Sequence, residues 1–184
     1  ADVDFTDPAD AGKFELTLSQ NIRVGSDEYK SNESDSGIFS SEGGYNYKII
    51  SENDGGKFEM SYKGGKQKVT NLDTKQSQTS DVDELSARAF IRGLMDCGEF
   101  SIDNVTEIKT LSDGKYQLIT TRPDMSFAEQ ITQKVDAGSP MGSATYTFTV
   151  VDGKLTEYEC KLNATWRSNG TACSVTIEGK CFYS

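Results

Sequence analysis

From Ala144 to Tyr183 apolar and polar side chains alternate one for one, interrupted only by turn residues, and a period of two is the signature of strands with one buried face. Ala144, Tyr146, Phe148 and Val150 lead into Asp152-Gly153. Tyr158, Cys160, Leu162, Ala164 and Trp166 then share one face, with Glu157, Glu159, Lys161, Asn163 and Thr165 on the other. After Ser168-Asn169-Gly170 the inward positions are Cys173, Val175, Ile177, Cys181 and Tyr183. Asp-Gly and Asn-Gly suit two-residue hairpin turns, whose central residues need positive φ. A three-stranded antiparallel meander is expected here.

The same period recurs upstream. Phe14, Leu16, Leu18, Ile22 and Val24 mark a first strand, and segment 25–43, rich in Ser, Gly, Asp and Glu, reads as a polar edge strand or a long loop, with a weak strand at 28–40. Tyr45, Tyr47 and Ile49, then Phe58, Met60 and Tyr62, flank Asn53-Asp54-Gly55-Gly56 as a hairpin, followed by a short strand near 67–72 and a polar linker over 73–80. Asp81 with Glu84 has capping-box spacing ahead of Leu85, Ala87, Phe90, Ile91, Leu94 and Met95, which predicts a helix near 81–97. A hairpin around Ser112-Asp113-Gly114-Lys115 comes next. Ser126 with Glu129 repeats the capping spacing before Ile131 and Val135 and predicts a second helix near 126–137. The fold class expected is α+β, mainly β: a curved, half-barrel-like antiparallel sheet of about nine or ten strands with two helices packed on one face. Residues 1–12, acidic and aperiodic, are expected to be a flexible leader, and 13–184 a single domain.

Twenty-nine acidic against nineteen basic residues give a formal charge of -10, which repels phosphate backbones, so nucleic acid is not an expected partner. No apolar run approaches the roughly 20 residues of a membrane-spanning helix. The first residues have neither the basic nor the apolar region of a signal peptide, so a leader has been removed or never existed; removal is the favoured expectation, with a membrane tether upstream as a candidate partner.

Four cysteines, Cys97, Cys160, Cys173 and Cys181, lack CxxC spacing and sit in a chain without histidine, which favours disulfides over zinc and a secreted or cell-surface location. Cys173 and Cys181 lie on one strand, roughly 26 Å apart by strand rise, and cannot bond each other. Of the two pairings left, a turn centred on Asn169-Gly170 favours Cys160 with Cys181 and Cys97 with Cys173. The second bond would tie the long helix to the sheet.

The absence of histidine removes Ser-His-Asp and Cys-His machinery. A carboxylate-only glycosidase needs only two facing acids, but the acids here fall on polar strand faces, helix exteriors and turns, so no enzyme is expected. Neither Asp2, Asp4, Asp7 and Asp10 nor Asp81, Asp83 and Glu84 sits in a calcium-loop pattern, the glycine pairs punctuate hairpins, and no cofactor is expected. Asn32, Asn104, Asn163 and Asn169 fit the glycosylation sequon in a chain rich in Ser and Thr. Tyr47, Phe58, Met60, Phe90, Leu94, Phe148, Tyr158 and Trp166 project toward one interior, as the lining of either a packed core or a cavity.

Tyr45-Asn46-Tyr47-Lys48, Met60-Ser61-Tyr62-Lys63-Gly64-Gly65-Lys66 and Thr145 to Val150 followed by Asp152-Gly153-Lys154-Leu155 carry a resemblance in element order. With its meander, long helix, hairpin, short helix and closing meander, the chain resembles the LolA/LppX-type lipoprotein half-barrels over nearly its whole length. That resemblance implies an extracytoplasmic, non-catalytic protein holding an apolar or lipid-like ligand between the curved sheet and helix 81–97; side-chain facing alone selects the eight residues just named as the ligand's expected lining. The rival expectation is a secreted surface, adhesion or interaction module with a solid core and no ligand cavity, working through an exposed face such as segment 25–43.

Overall fold

The computed structural model describes residues 11–95, 105–121, 128, 131–139 and 141–184. Its strands are β1 (Ala11–Val24), β2 (Asp27–Ser40), β3 (Asn46–Asn53), β4 (Gly56–Lys63), β5 (Lys66–Asn71), β6 (Ser77–Asp81), β7 (Val105–Ser112), β8 (Lys115–Thr120), β9 (Met141–Val151), β10 (Lys154–Ser168) and β11 (Thr171–Tyr183), with the helix α1 (Glu84–Met95) between β6 and β7. All eleven strands form one sheet in the order β6-β5-β4-β3-β2-β1-β11-β10-β9-β8-β7. Every pairing is antiparallel.

The C-terminal meander follows the alternation. Asp152 and Gly153 have φ of 51° and 77°, and Asn169 and Gly170 have 49° and 79°, so both turns use the left-handed pairs that hairpin twist requires. Segment 28–40 is strand for its whole length within β2, and the linker expected over 73–80 contains β6.

Three expectations are corrected. The half-barrel is not formed: the sheet is open and uncurled, with β6 and β7 at opposite edges, and α1 is its one helix of more than a turn among the described residues. The strand-and-turn patterns behind the resemblance belong to any antiparallel meander and do not encode closure. The helix expected near 126–137 is also not formed as such. Residues 126, 127, 129 and 130 lie outside the described residues; Ala128, Ile131 and Thr132 are helical, but Gln133 turns to a φ of 60° and the chain runs on without helix to Ser139. Tertiary bonds outcompete the local pattern there. Asp136 N donates to Arg167 O, its carboxylate accepts from Asn169 N and Gly170 N at 3.1 and 2.8 Å, and Ser139 Oγ accepts from Arg167 N.

The disulfides are the third correction: Cys160, Cys173 and Cys181 are buried thiols, and Cys97 lies outside the described residues. Register explains the first pair. Cys160 opposes Gly179 and Cys181 opposes Tyr158, so the two sulfurs are on diagonal positions of the ladder, where Cα atoms stand roughly 7–8 Å apart, beyond disulfide reach. Cys173 opposes Trp166, whose indole fills the inner face beside it.

The inner face holds two packed clusters. Phe14, Leu16, Phe39, Tyr47, Ile49 and Cys181 pack under Ala87 and Ile91 of α1. Tyr146, Phe148, Tyr158, Leu162, Trp166 and Val175 pack under Ala128, with Ile131 and Val135 at its margin. Helix α1 starts two residues later than the Asp81 capping spacing suggests, because Asp83 is the cap that accepts from Ser86 N and Ser86 Oγ, both at 2.8 Å. Gly37 shows how tight the first cluster is. A Cβ there would lie 2.5 Å from the Phe14 ring, so the aromatic packs directly over the bare backbone.

Candidate functional site

The eight side chains expected to line one cavity are divided between the two clusters. Tyr47 is in the first, stacked on Tyr62 at 5.6 Å and tilted against Phe90 at 5.9 Å, with Met60 packed alongside. Phe148, Tyr158 and Trp166 belong to the second, where Tyr158 stacks on Phe148 at 5.0 Å. Phe58 is half-buried between Ser51 and Asn71 in its ladders and belongs to neither, while the side chain of Leu94 lies outside the described residues. Ring on ring at these distances is the geometry of a filled core, and an apolar ligand held between sheet and helices is not supported.

Between the clusters the inner face turns polar. Across β2, Leu16 opposes Asp35, Leu18 opposes Glu33 and Gln20 opposes Ser31, where the alternation alone would have placed apolar residues. Asp35 is 1% exposed and neither carboxylate oxygen has a hydrogen-bond partner. Burial pushes its pKa up; Ser51, across the β2–β3 ladder, tempers that shift without reaching hydrogen-bond geometry. Glu33 is pushed up as well, first by burial and then by the neighbouring Asp35 charge. Sequence reasoning missed this pair because strand β2 looked like edge or loop. Its signal was available as inward-phase acids opposite Leu16 and Leu18.

A depression of about 630 Å³ crosses the middle of β2 and β1 and runs on over β11 and β10, with the end of β3 at its far side. Its walls include Thr17, Ser19, Asn32, Ser34, Lys161 and Glu178, residues that alternate away from the core, with Leu18, Glu33 and Gly179 along the row between them. At one end Lys180 donates to Glu159 at 2.7 Å and reaches Glu157 at 2.5 Å, and its bond to Glu157 holds that carboxyl below its ordinary value. Further out, Glu28 accepts from Asn21 and Arg23 and pairs with Lys30, which lowers its carboxyl to about 2. Among the described residues no group of three or more Cys, Asp or Glu side chains is placed to hold a metal ion, and no helix is long and apolar enough to cross a membrane.

Fold and surface together define an open, wholly antiparallel single-sheet protein with a solid inner face and a polar groove across its central strands. No protein-family model matches the chain, and no curated protein matches it in sequence.

Proposed function

We propose that the protein is a non-catalytic interaction module of the cell exterior, secreted or held at the surface, that engages a polar partner through the groove across β3, β2, β1, β11 and β10. The observation that carries this reading is the groove itself. Hydroxyl and amide groups from Thr17, Ser19, Asn32 and Ser34 are set between charges of both signs, on a scaffold whose inner-face aromatic side chains are packed into two clusters. A rigid sheet presenting fixed polar side chains suits recognition of another surface or of an extended polar chain. The net charge of -10 argues against nucleic acid as that partner. Support for the extracytoplasmic setting is the acidic, aperiodic stretch 1–10, which suits a tether.

The test is saturable binding of the labelled protein to intact cells of its source, compared with a Ser19→Arg/Ser34→Arg variant. Both sites are exposed, so stability should stay within about 0.5 kcal/mol per site while binding falls about tenfold or more. Absence of saturable wild-type binding, equal binding by the variant, or a lipid found by native mass spectrometry of the intact protein would overturn the reading.

A further inference from the structure

Strand β7 is an open edge of the sheet, bonded on one side to β8 and on the other to nothing among the described residues. Such an edge presents a row of N–H and C=O groups that can template another strand. The other edge, β6, is five exposed residues without an apolar side chain. By contrast β7 exposes Ile108 at 65% and Leu111 at 49%. Ile108 opposes Leu118, which opposes Tyr146, so its side chain continues an inner-face row that runs into the second core cluster. That row ends in solvent.

The segment Val105-Thr106-Glu107-Ile108-Lys109-Thr110-Leu111 reads the same, by chemical class, from either end. In an antiparallel pair about a two-fold axis normal to the sheet, opposed residues must point to the same face, so the axis passes through a residue position. Centred on Ile108, Ile108 meets its own copy, Glu107 meets Lys109, Thr106 meets Thr110 and Val105 meets Leu111. Centred one residue earlier it would set Glu107 against Glu107, and one later Lys109 against Lys109; like charges directly opposed disfavour both registers. Glu107 and Lys109 already pair within one strand at 3.2 Å, on the face away from Ile108, so they would need only to exchange partners. Two bulges, at Val105/Glu107 and at Thr110/Ser112, leave Glu107–Thr110 as the regular stretch, and the proposed axis lies within it.

We propose that β7 pairs with β7 of a second copy of this chain, in the register centred on Ile108, joining the two sheets into one. The groove ends at β10, with β9 and β8 between it and this edge, so the two surfaces can be tested separately.

The test is a charge exchange followed by sedimentation equilibrium of the full chain. The wild type is expected to be in monomer–dimer equilibrium. Glu107→Lys sets Lys against Lys twice across the axis and Lys109→Glu sets Glu against Glu twice, so each alone should weaken the dimer about tenfold. An equimolar mixture of the two variants should recover wild-type affinity as a heterodimer, as should the double variant Glu107→Lys/Lys109→Glu on its own. Both positions are exposed and circular dichroism should be unchanged; independently, wild-type amides of β7 should exchange more slowly as concentration rises. A wild type that stays monomeric, a dimer untouched by either single variant, a mixture no tighter than its components, or an open-ended polymer would overturn the proposal.

Discussion

The indole Nε1 of Trp166 donates to Thr132 Oγ1 at 3.0 Å, and the single proton of that hydroxyl is shared between the carbonyls of Ala128 and Lys134, each 3.0 Å away. One side chain therefore sits where the helical residues end and pins them to the second cluster, where Trp166 is 2% exposed. From Gln133 on, the segment expected to be helix is instead a strap, stitched at one end by this hydroxyl and at the other by Asp136 on the β10–β11 turn.

Thr132→Val keeps the shape and removes the acceptor, leaving a buried indole donor to find another partner. It should cost about 1–3 kcal/mol in urea unfolding followed by circular dichroism. Because Trp166 is the sole tryptophan, its fluorescence reports the same site, and its emission should shift in the folded variant. An unchanged midpoint and spectrum would show that the strap is not held by this bond.

Asp35 makes the opposite kind of contribution. Its carboxyl has a raised pKa in the folded state because burial penalises the charge, so the folded protein holds that proton more tightly than the unfolded chain does. By linkage, the stability it provides is fullest below the unfolded value of about 3.9 and is lost as pH rises through the higher folded value. Asp35→Asn should therefore stabilise the protein at neutral pH by about 1–3 kcal/mol, with the advantage shrinking as pH falls toward 4. Denaturant midpoints of both proteins across that range check this; a gap independent of pH would mean that Asp35 is already neutralised or partnered.

The cysteines offer a direct chemical check. Cys160, Cys173 and Cys181 are 3%, 4% and 0% exposed, and burial pushes Cys181 up to about 11, so it stays a protonated, shielded thiol at ordinary pH. Iodoacetamide without reductant should leave all three unmodified in the folded protein and alkylate all three in guanidinium, read by peptide mass mapping. Recovery of Cys160 and Cys181 joined as a disulfide would count against the register of β10 and β11.

Much of the sheet was legible in the chain itself. The alternation of Tyr158 to Trp166 against Cys173 to Tyr183 and the Asn169-Gly170 turn place those strands together, since facing and turn geometry are both local properties. The candidate site was not legible. Thr17, Ser34, Lys161 and Glu178 are distant in sequence and become neighbours only through the β1–β2, β1–β11 and β10–β11 ladders. The eight side chains expected around one ligand had the right burial tendency and the wrong grouping, because inward facing does not say which neighbour fills the space.

By itself the sequence determined that this would be an antiparallel β protein with an amphipathic helix in the region of 84–95, because backbone torsion, turn chemistry and side-chain period act over a few residues. Tertiary structure decided the rest: that the order of strands leaves β6 and β7 as separate open edges, that Cys160 falls opposite Gly179, that the chain after Thr132 is a strap, and that Asp35 is enclosed. Each depends on which distant segment covers or opposes a position, and a covering contact between distant segments carries no period along the chain.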